Sequence, residues 1–369
     1  MSNSINRQLI IIAPTCPPGV CGVSDYAYKT AIALNKSYKS VKIGIQYFPA
    51  ATQDKPLSIT TVYWKKLLQQ SITKGSATDL ILNFTPTSYS KFGLPSDLLN
   101  TLKQFKTASS GNRIYVFFHE TWDDSRGLRI HHRLRNSLIK QTVKSLSKLA
   151  SGITVVTNEQ KTKIEILTNN KKIRLSLVGA NILPANKEHG LNSVRKRGEW
   201  VTFGLAHTRL WTIQQHLPLI KDLYNKGVIK KIYAIGPLDN QFAAEELRLT
   251  KSTLGPDVLV QTGILAPGEV SDRMLTAEAA LVGQTADSLR KSGTFAALSA
   301  HAVPVICEAP FSLDEPPGCA IFRPNELLNN QNIVSTIEGE KRRLLLHQWF
   351  WLTRSWEAIA IDMQSWINS

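Results

Sequence analysis

Residues 288–306 read SLRKSGTFAALSAHAVPVI, and Lys291, Ser292, Gly293 and Thr294 stand where a loop passes into a short helix. The first turn of a helix carries unpaired N–H groups and the positive end of the macrodipole, so it attracts anions such as phosphate. Gly293 lets a ligand approach the main chain, and Lys291 adds a formal charge. An ordinary helix-to-strand connection would read much the same, because short K-S-G-T strings are common. A second group is His119 and Glu120, at the end of the apolar run 113–118, followed by Asp123 and Asp124. An imidazole beside carboxylates suits proton transfer, although a solvated acidic loop has the same composition. The third feature is a basic segment, 126–148, holding Arg126, Arg129, His131, His132, Arg133, Arg135, Lys140, Lys144 and Lys148 with no acidic residue. Its apolar residues Leu134, Leu138, Ile139, Val143 and Leu146 recur at helical spacing, so one face packs and the other is cationic. A solvated face, attraction to anionic lipid headgroups and attraction to nucleic acid all fit such charge. No aromatic interleaving or nucleic-acid motif accompanies it, so nucleic acid is not the expected partner.

These groups need elements to hold them. Apolar and β-branched runs predict strands at 8–13, 41–48, 79–84, 113–118 and 153–157. Helices are expected at 26–35, capped by Ser24 or Asp25, and at 134–149, while 61–70 reads as a helix or an irregular excursion. Strands alternating with helices imply a parallel sheet covered on both faces, with ligands outside the carboxyl ends of its strands. That rim gathers the loop 19–25, residues 85–87, and His119 with Glu120. Residues 185–198, ANKEHGLNSVRKRG, are polar and aperiodic and read as a linker. The pattern then restarts, with strands at 200–205, 229–235, 258–262 and 279–282 and helices at 213–225, 242–249 and 267–275. The last stretch is helical and carries Trp349, Trp351, Trp356 and Trp366. The expected division is therefore 1–184, a linker at 185–198, a second domain at 199–340, and terminal helices at 341–369.

The chain has 369 residues, 43% of them hydrophobic and 20% charged, which suits two globular domains. No apolar run reaches the ~18 residues needed to cross a bilayer, and no secretory signal is evident, so a cytoplasmic protein is expected. Cys16, Cys21, Cys307 and Cys319 lack zinc-site spacing and read as reduced thiols. The net charge of +16 is unevenly placed. Up to Gly190 there are 26 basic and 10 acidic residues, and beyond it 18 of each. The first half is thus suited to an anionic partner.

Several strings, in order along the chain, resemble the GT-B sugar-nucleotide glycosyltransferases, particularly the large retaining group known as family 4. Residues 18–26, PGVCGVSDY, resemble the first glycine loop, and Phe117-Phe118-His119-Glu120 resembles the strand ending in His-Asp. Residues 154–159, TVVTNE, resemble the turn ending in Ser-Glu, and residues 178–182, VGANI, the N-G-V-D string that closes the first domain. Ile235-Gly236-Pro237, residues 260–265 (VQTGIL) and Ser355-Trp356-Glu357 resemble the G-x-G-P, F-L-G-F-V and S-W-E strings.

The resemblance implies an α/β fold of two Rossmann-like domains facing a cleft, with a C-terminal helix crossing back to the first domain. It also implies transfer of a sugar from a nucleotide-sugar donor to a glycan or lipid-linked acceptor, with no cofactor and no metal. Donor diphosphate would lie on Arg209, Lys291, Ser292, Gly293 and Thr294. His119 would face the donor sugar, with Glu120 as the candidate acceptor base. Gly22 would allow close backbone approach, and Asp25 reads as a cap more than a catalyst. The chain would stay cytoplasmic, peripheral at an anionic membrane through Arg126 to Lys148. One departure stands out. The two glutamates that the family places eight residues apart are replaced by Leu289 and Ala297, leaving Asp287 and Glu308 as nearby substitutes. A non-catalytic protein that binds nucleotide sugar or glycan is therefore the alternative, with a nucleotide-sugar epimerase behind it.

Overall fold

The computed structural model describes residues 5–17, 21–48, 59–123, 130–168 and 172–369. Residues 18–20 of the first glycine loop, Asp124, Arg126 and Arg129 lie outside them. The chain divides into two compact units, 1–177 with 359–369, and 178–358. The first unit contains β1 (Ile5–Ala13), α1 (Gly22–Leu34), β2 (Tyr38–Ile45), β3 (Thr61–Tyr63), α2 (Trp64–Lys74), β4 (Thr78–Phe84) and α3 (Ser96–Ala108). It continues through β5 (Arg113–Phe118), α4 (Ile130–Leu149), β6 (Gly152–Val155), α5 (Asn158–Thr168) and β7 (Ile173–Leu175). These strands form one parallel sheet in the order β3-β2-β1-β4-β5-β6-β7. The order reverses between β1 and β4, the point at which the connecting helices change face.

The second unit holds α6 (Lys187–Asn192), β8 (Lys196–Phe203), α7 (Ala206–Asn225), β9 (Lys231–Ile235), α8 (Asn240–Leu254), β10 (Leu259–Gly263), α9 (Pro267–Thr276) and β11 (Ala277–Leu281). After these come α10 (Ala286–Leu289), α11 (Gly293–Ala300), β12 (Val305–Ile306), α12 (Pro324–Asn329) and α13 (Ile337–Thr353). The final helix, α14 (Trp356–Asn368), starts in this unit, and its residues from Ile359 onward pack with the first. The second sheet is parallel in the order β10-β9-β8-β11-β12 and reverses between β8 and β11. The doubly wound α/β architecture expected from the alternation is present in both units.

Local differences from the sequence reading have local causes. Helix α1 begins at Gly22, so Ser24 and Asp25 lie in its first turn and do not cap it; Ser24 Oγ instead accepts from Thr15 N at 3.1 Å. Residues 61–70 contain a short edge strand and then a helix. The polar stretch 185–198 holds α6, capped by Asn186, and the start of β8. Among the described residues no helix is long and apolar enough to cross a membrane.

The first sheet is pinned at its amino end. β4 is buried along its whole length, yet it carries Asp79. That carboxylate is 0% exposed and accepts from Arg7 on β1 (2.8 and 3.1 Å), Arg113 on β5 (2.7 and 2.8 Å) and Tyr38 on β2 (3.4 Å). One buried charge thus ties four neighbouring strands in register, and its desolvation is offset only while both guanidiniums remain. Replacing Asp79→Ala should lower the unfolding free energy by about 3–5 kcal/mol, read by urea denaturation. An unchanged midpoint would show that the cluster contributes nothing to stability.

Candidate functional sites on two rims

In the second unit the carboxyl ends of β8, β9 and β10 are stitched together by glycine turns. Gly204 N donates to Ile235 O at 3.0 Å, and Gly236 N to Gly263 O at 3.3 Å. Gly236 has φ +135°, and a Cβ there would lie 2.1 Å from Gly204 O, so only glycine fits. Facing these turns is the start of α11. Ser292 is its N-cap, accepting from Phe295 N at 3.0 Å, which leaves the Gly293 and Thr294 N–H groups without an intrahelical partner. A Cβ on Gly204 would meet Thr294 Oγ1 at 3.5 Å, and one on Gly293 would meet Asn181 and Gly179 O at 3.8 Å. Lys291 is exposed beside them. Residues 295–300 of α11 are all buried, so its dipole acts in a poorly screened surrounding. Helix N–H groups without intrahelical partners, a hydroxyl and a nearby ammonium beside a tight glycine turn can hold an anion.

The predicted members of this site divide. Gly293 and Thr294 come together at it, Lys291 is exposed two residues before Gly293, and the Ser292 hydroxyl oxygen is engaged as the cap. Arg209 differs from expectation. It is 0% exposed and paired with the equally buried Glu246 at 3.1 and 3.2 Å, and it donates to Gly204 O (2.7 Å) and Pro237 O (3.2 Å). Glu246 also accepts from Gln261 on β10 at 2.7 Å. This network holds the rim turns from beneath, and desolvation of both partners keeps Arg209 there instead of at the surface. Leu289 and Ala297 are core residues at 0% exposure, packed among apolar neighbours. Asp287 is half-buried on α10 and Glu308 is exposed just past β12.

In the first unit, the carboxyl ends of β1, β4 and β5 are joined through a residue that the sequence reading passed over. Asn83 donates from Nδ2 to Ile12 O at 3.2 Å, which leaves Oδ1 to accept from His119 Nε2 at 2.9 Å. The imidazole is thereby fixed with its proton on Nε2 and a lone pair on Nδ1. It stacks on Phe117, with centroids 4.1 Å apart, and meets the edge of Tyr26 at 5.1 Å. Burial pushes its pKa down to about 3, so it is a neutral hydrogen-bonding group at ordinary pH. Gln160 holds the same turn by donating to His119 O at 2.9 Å and accepting from Val156 N at 3.0 Å. Glu120 is exposed next to His119, and Asn136 donates to Asp123 O at 2.6 Å. Gly22 opens α1 with free space where a Cβ would stand. Asp25, three residues on, has its pKa raised by burial against the opposing pull of Lys29. An amide following the apolar run Leu80-Ile81-Leu82 at the carboxyl end of a strand, as Asn83 is, was the signal available in the sequence. Among the described residues no group of three or more histidine, cysteine or carboxylate side chains is arranged to bind a metal.

No protein-family model matches the sequence, and no curated protein matches it. Solved structures do match over nearly the whole chain. A sucrose-phosphate synthase of Thermosynechococcus elongatus is 14% identical, with a TM-score of 0.63 and 98% of each chain covered. A glycosyltransferase of Rickettsia africae is 10% identical, with a TM-score of 0.68 over 98% of this chain and 97% of that one. Anabaena HepE, solved with UDP and glucose, is 12% identical, with a TM-score of 0.63 over 99% and 100%. The protein therefore has the fold of these two-domain GT-B glycosyltransferases, as the sequence strings implied.

The histidines of both units carry a consequence for pH. Burial lowers the pKa of His119 to about 3, lowers His301 and His347 to about 4, and also lowers His216. The unfolded chain protonates these rings near 6.5, so unfolding takes up protons at mildly acid pH. Stability present above pH 6.5 should fall steadily as pH drops towards 4. Melting temperatures measured at constant ionic strength check this, and a flat profile from pH 7 to 4.5 would contradict neutral buried rings.

Proposed function

We propose that the protein is a glycosyltransferase that moves a sugar from a nucleotide-sugar donor to a glycan or lipid-linked acceptor. The observation that carries the reading is the approach of Gly293 and Thr294 to Gly204, with exposed Lys291 just before them in the chain, on a fold whose solved relatives include one holding UDP and glucose. In this reading the donor diphosphate accepts from the Gly293 and Thr294 N–H groups and is neutralised by Lys291. Such preorganised donors stabilise the charge that builds as the bond from the anomeric carbon to phosphate breaks. Exposed Leu205, Leu238 and Ile264, on the loops after β8, β9 and β10, offer apolar contact to a nucleobase. Glu308 supplies the carboxylate for the ribose in place of the missing one. On the first rim, neutral His119 offers Nδ1 as an acceptor to a sugar hydroxyl. Glu120 takes the proton released as the acceptor oxygen bonds to the anomeric carbon.

A panel of UDP-, GDP- and ADP-sugars, read by calorimetry and by nucleotide release, tests this. Lys291→Ala should weaken binding of the best nucleotide roughly tenfold through one lost charge-assisted contact, with the melting temperature unchanged. Binding without release over hours would instead favour the non-catalytic binding protein, which the apolar Leu289 and Ala297 support. No binding by any nucleotide would defeat the transferase reading and leave only a glycan-binding protein.

We further propose that the basic segment meets an anionic membrane surface. Ile130 and Leu134, one turn apart on α4, are 78% and 63% exposed, and Phe92 on the loop packed against that helix is 69% exposed. Arg133, Arg135, Lys144 and Lys148 are exposed on the same helix. Apolar side chains among cations suit the interface of an anionic bilayer. The protein should float with vesicles containing phosphatidylglycerol and be released at about 0.5 M salt. Duplex DNA binding without flotation would overturn the proposal.

A further inference from the structure

We infer that Arg354 is a positioning residue whose guanidinium holds the two loops of the anion cradle in a single arrangement. The inference rests on the donor-site reading of that cradle. Arg354 lies between α13 and α14, is 0% exposed, and reaches into neither solvent nor a carboxylate. Its Nε donates to Val178 O at 2.8 Å, its Nη1 to Leu289 O at 3.2 Å and its Nη2 to Arg290 O at 2.7 Å. Those carbonyls belong to two segments far apart in sequence. Val178 is followed by Gly179 and Asn181, which stand 3.8 Å from the Cβ position of Gly293. Leu289 and Arg290 directly precede Lys291 and Ser292.

The neighbouring contacts work in the same direction. Trp356 Nε1 donates to Ala180 O at 2.9 Å, and its ring fills the space where a Gly179 side chain would be. Trp349 lies against the guanidinium, its ring centroid 5.2 Å from Cζ. Glu315 pairs with Arg290 at 2.8 Å and acts on the Arg354 cation through space, while the hydrogen bonds of Arg354 go to main-chain carbonyls. Burial lowers its pKa to about 9, which still leaves it charged near neutrality. The chain thus places a fixed positive charge behind the loops that line the cradle, where a low effective dielectric extends its influence. This offsets the withdrawal of Arg209 into the core.

Positioning and charge can be separated, because lysine keeps the charge but lacks the planar fork that spans three carbonyls. The test compares the wild-type protein with Arg354→Lys and Arg354→Gln, using amide hydrogen exchange, circular dichroism and UDP calorimetry. In both variants exchange should rise at least tenfold at residues 178–181 and 289–292 together, while β8, β9 and β11 stay protected. UDP affinity should fall at least tenfold in Arg354→Lys, and further in Arg354→Gln. Wild-type protection in both segments, or a rise confined to one, overturns the inference. Should one variant unfold, the other supplies the same exchange readout. If wild-type protein binds no nucleotide while both segments loosen as expected, the donor-site reading fails and the clasp stands.

Discussion

The second unit depends on arginine side chains that satisfy main-chain carbonyls. Helix C-termini and strand-end turns leave carbonyls without intrinsic partners, and each one buried unpaired is costly. A guanidinium answers this with five donors in one plane. Arg195 binds Met274 O and Leu275 O at the end of α9, and His301 O and Ala302 O at the end of α11. Arg354 binds the carbonyls just before the start of α11, and Arg209 those of the turns opposite. Helix α11 is therefore held at both ends by cations. The one at its carboxyl end complements the dipole, and the one ahead of its amino end adds to the field an anion would meet.

The first unit inverts this chemistry. There a buried carboxylate, Asp79, gathers two arginines and a tyrosine at the amino end of the sheet. The opposite end, where parallel strands collect their loops, is fastened by neutral groups, the Asn83 and Gln160 amides. Amides hold the turns without imposing a charge, and they leave His119 neutral with a defined tautomer. A rim of that kind suits recognition of hydroxyl groups, whereas the rim of the second unit suits anions. The two kinds of polar chemistry thus reside on different units.

The charge excess of the first unit has a location as well as a size. It lies partly on α4, whose buried side runs through Ile139, Val143 and Leu146 while its first turns expose Ile130 and Leu134. Helical packing accounts for the buried side. Ile130 and Leu134 remain largely exposed among the described residues, with arginines beside them on the helix.

The amino-acid sequence by itself determined the alternation of strands and helices, the restart of the pattern in the second half, the uneven charge and the anion-ready start of α11. These are properties of neighbouring residues: hydrophobic period, turn composition and the unpaired N–H groups of a first helical turn. The family-like strings were legible for the same reason, and the fold they implied is the one observed. Tertiary structure alone decided which polar residues stay exposed and which are buried against partners. Lys291 and Arg209 look equally available in sequence, but Arg209 meets Glu246, 37 residues away, and is buried with it. The tautomer of His119 depends on Asn83, 36 residues earlier, and the work of Arg354 on carbonyls 64 to 176 residues distant. Side chains take these roles only when folding brings separate segments together, because burial and hydrogen-bond partners are set by the packed chain and not by its local order.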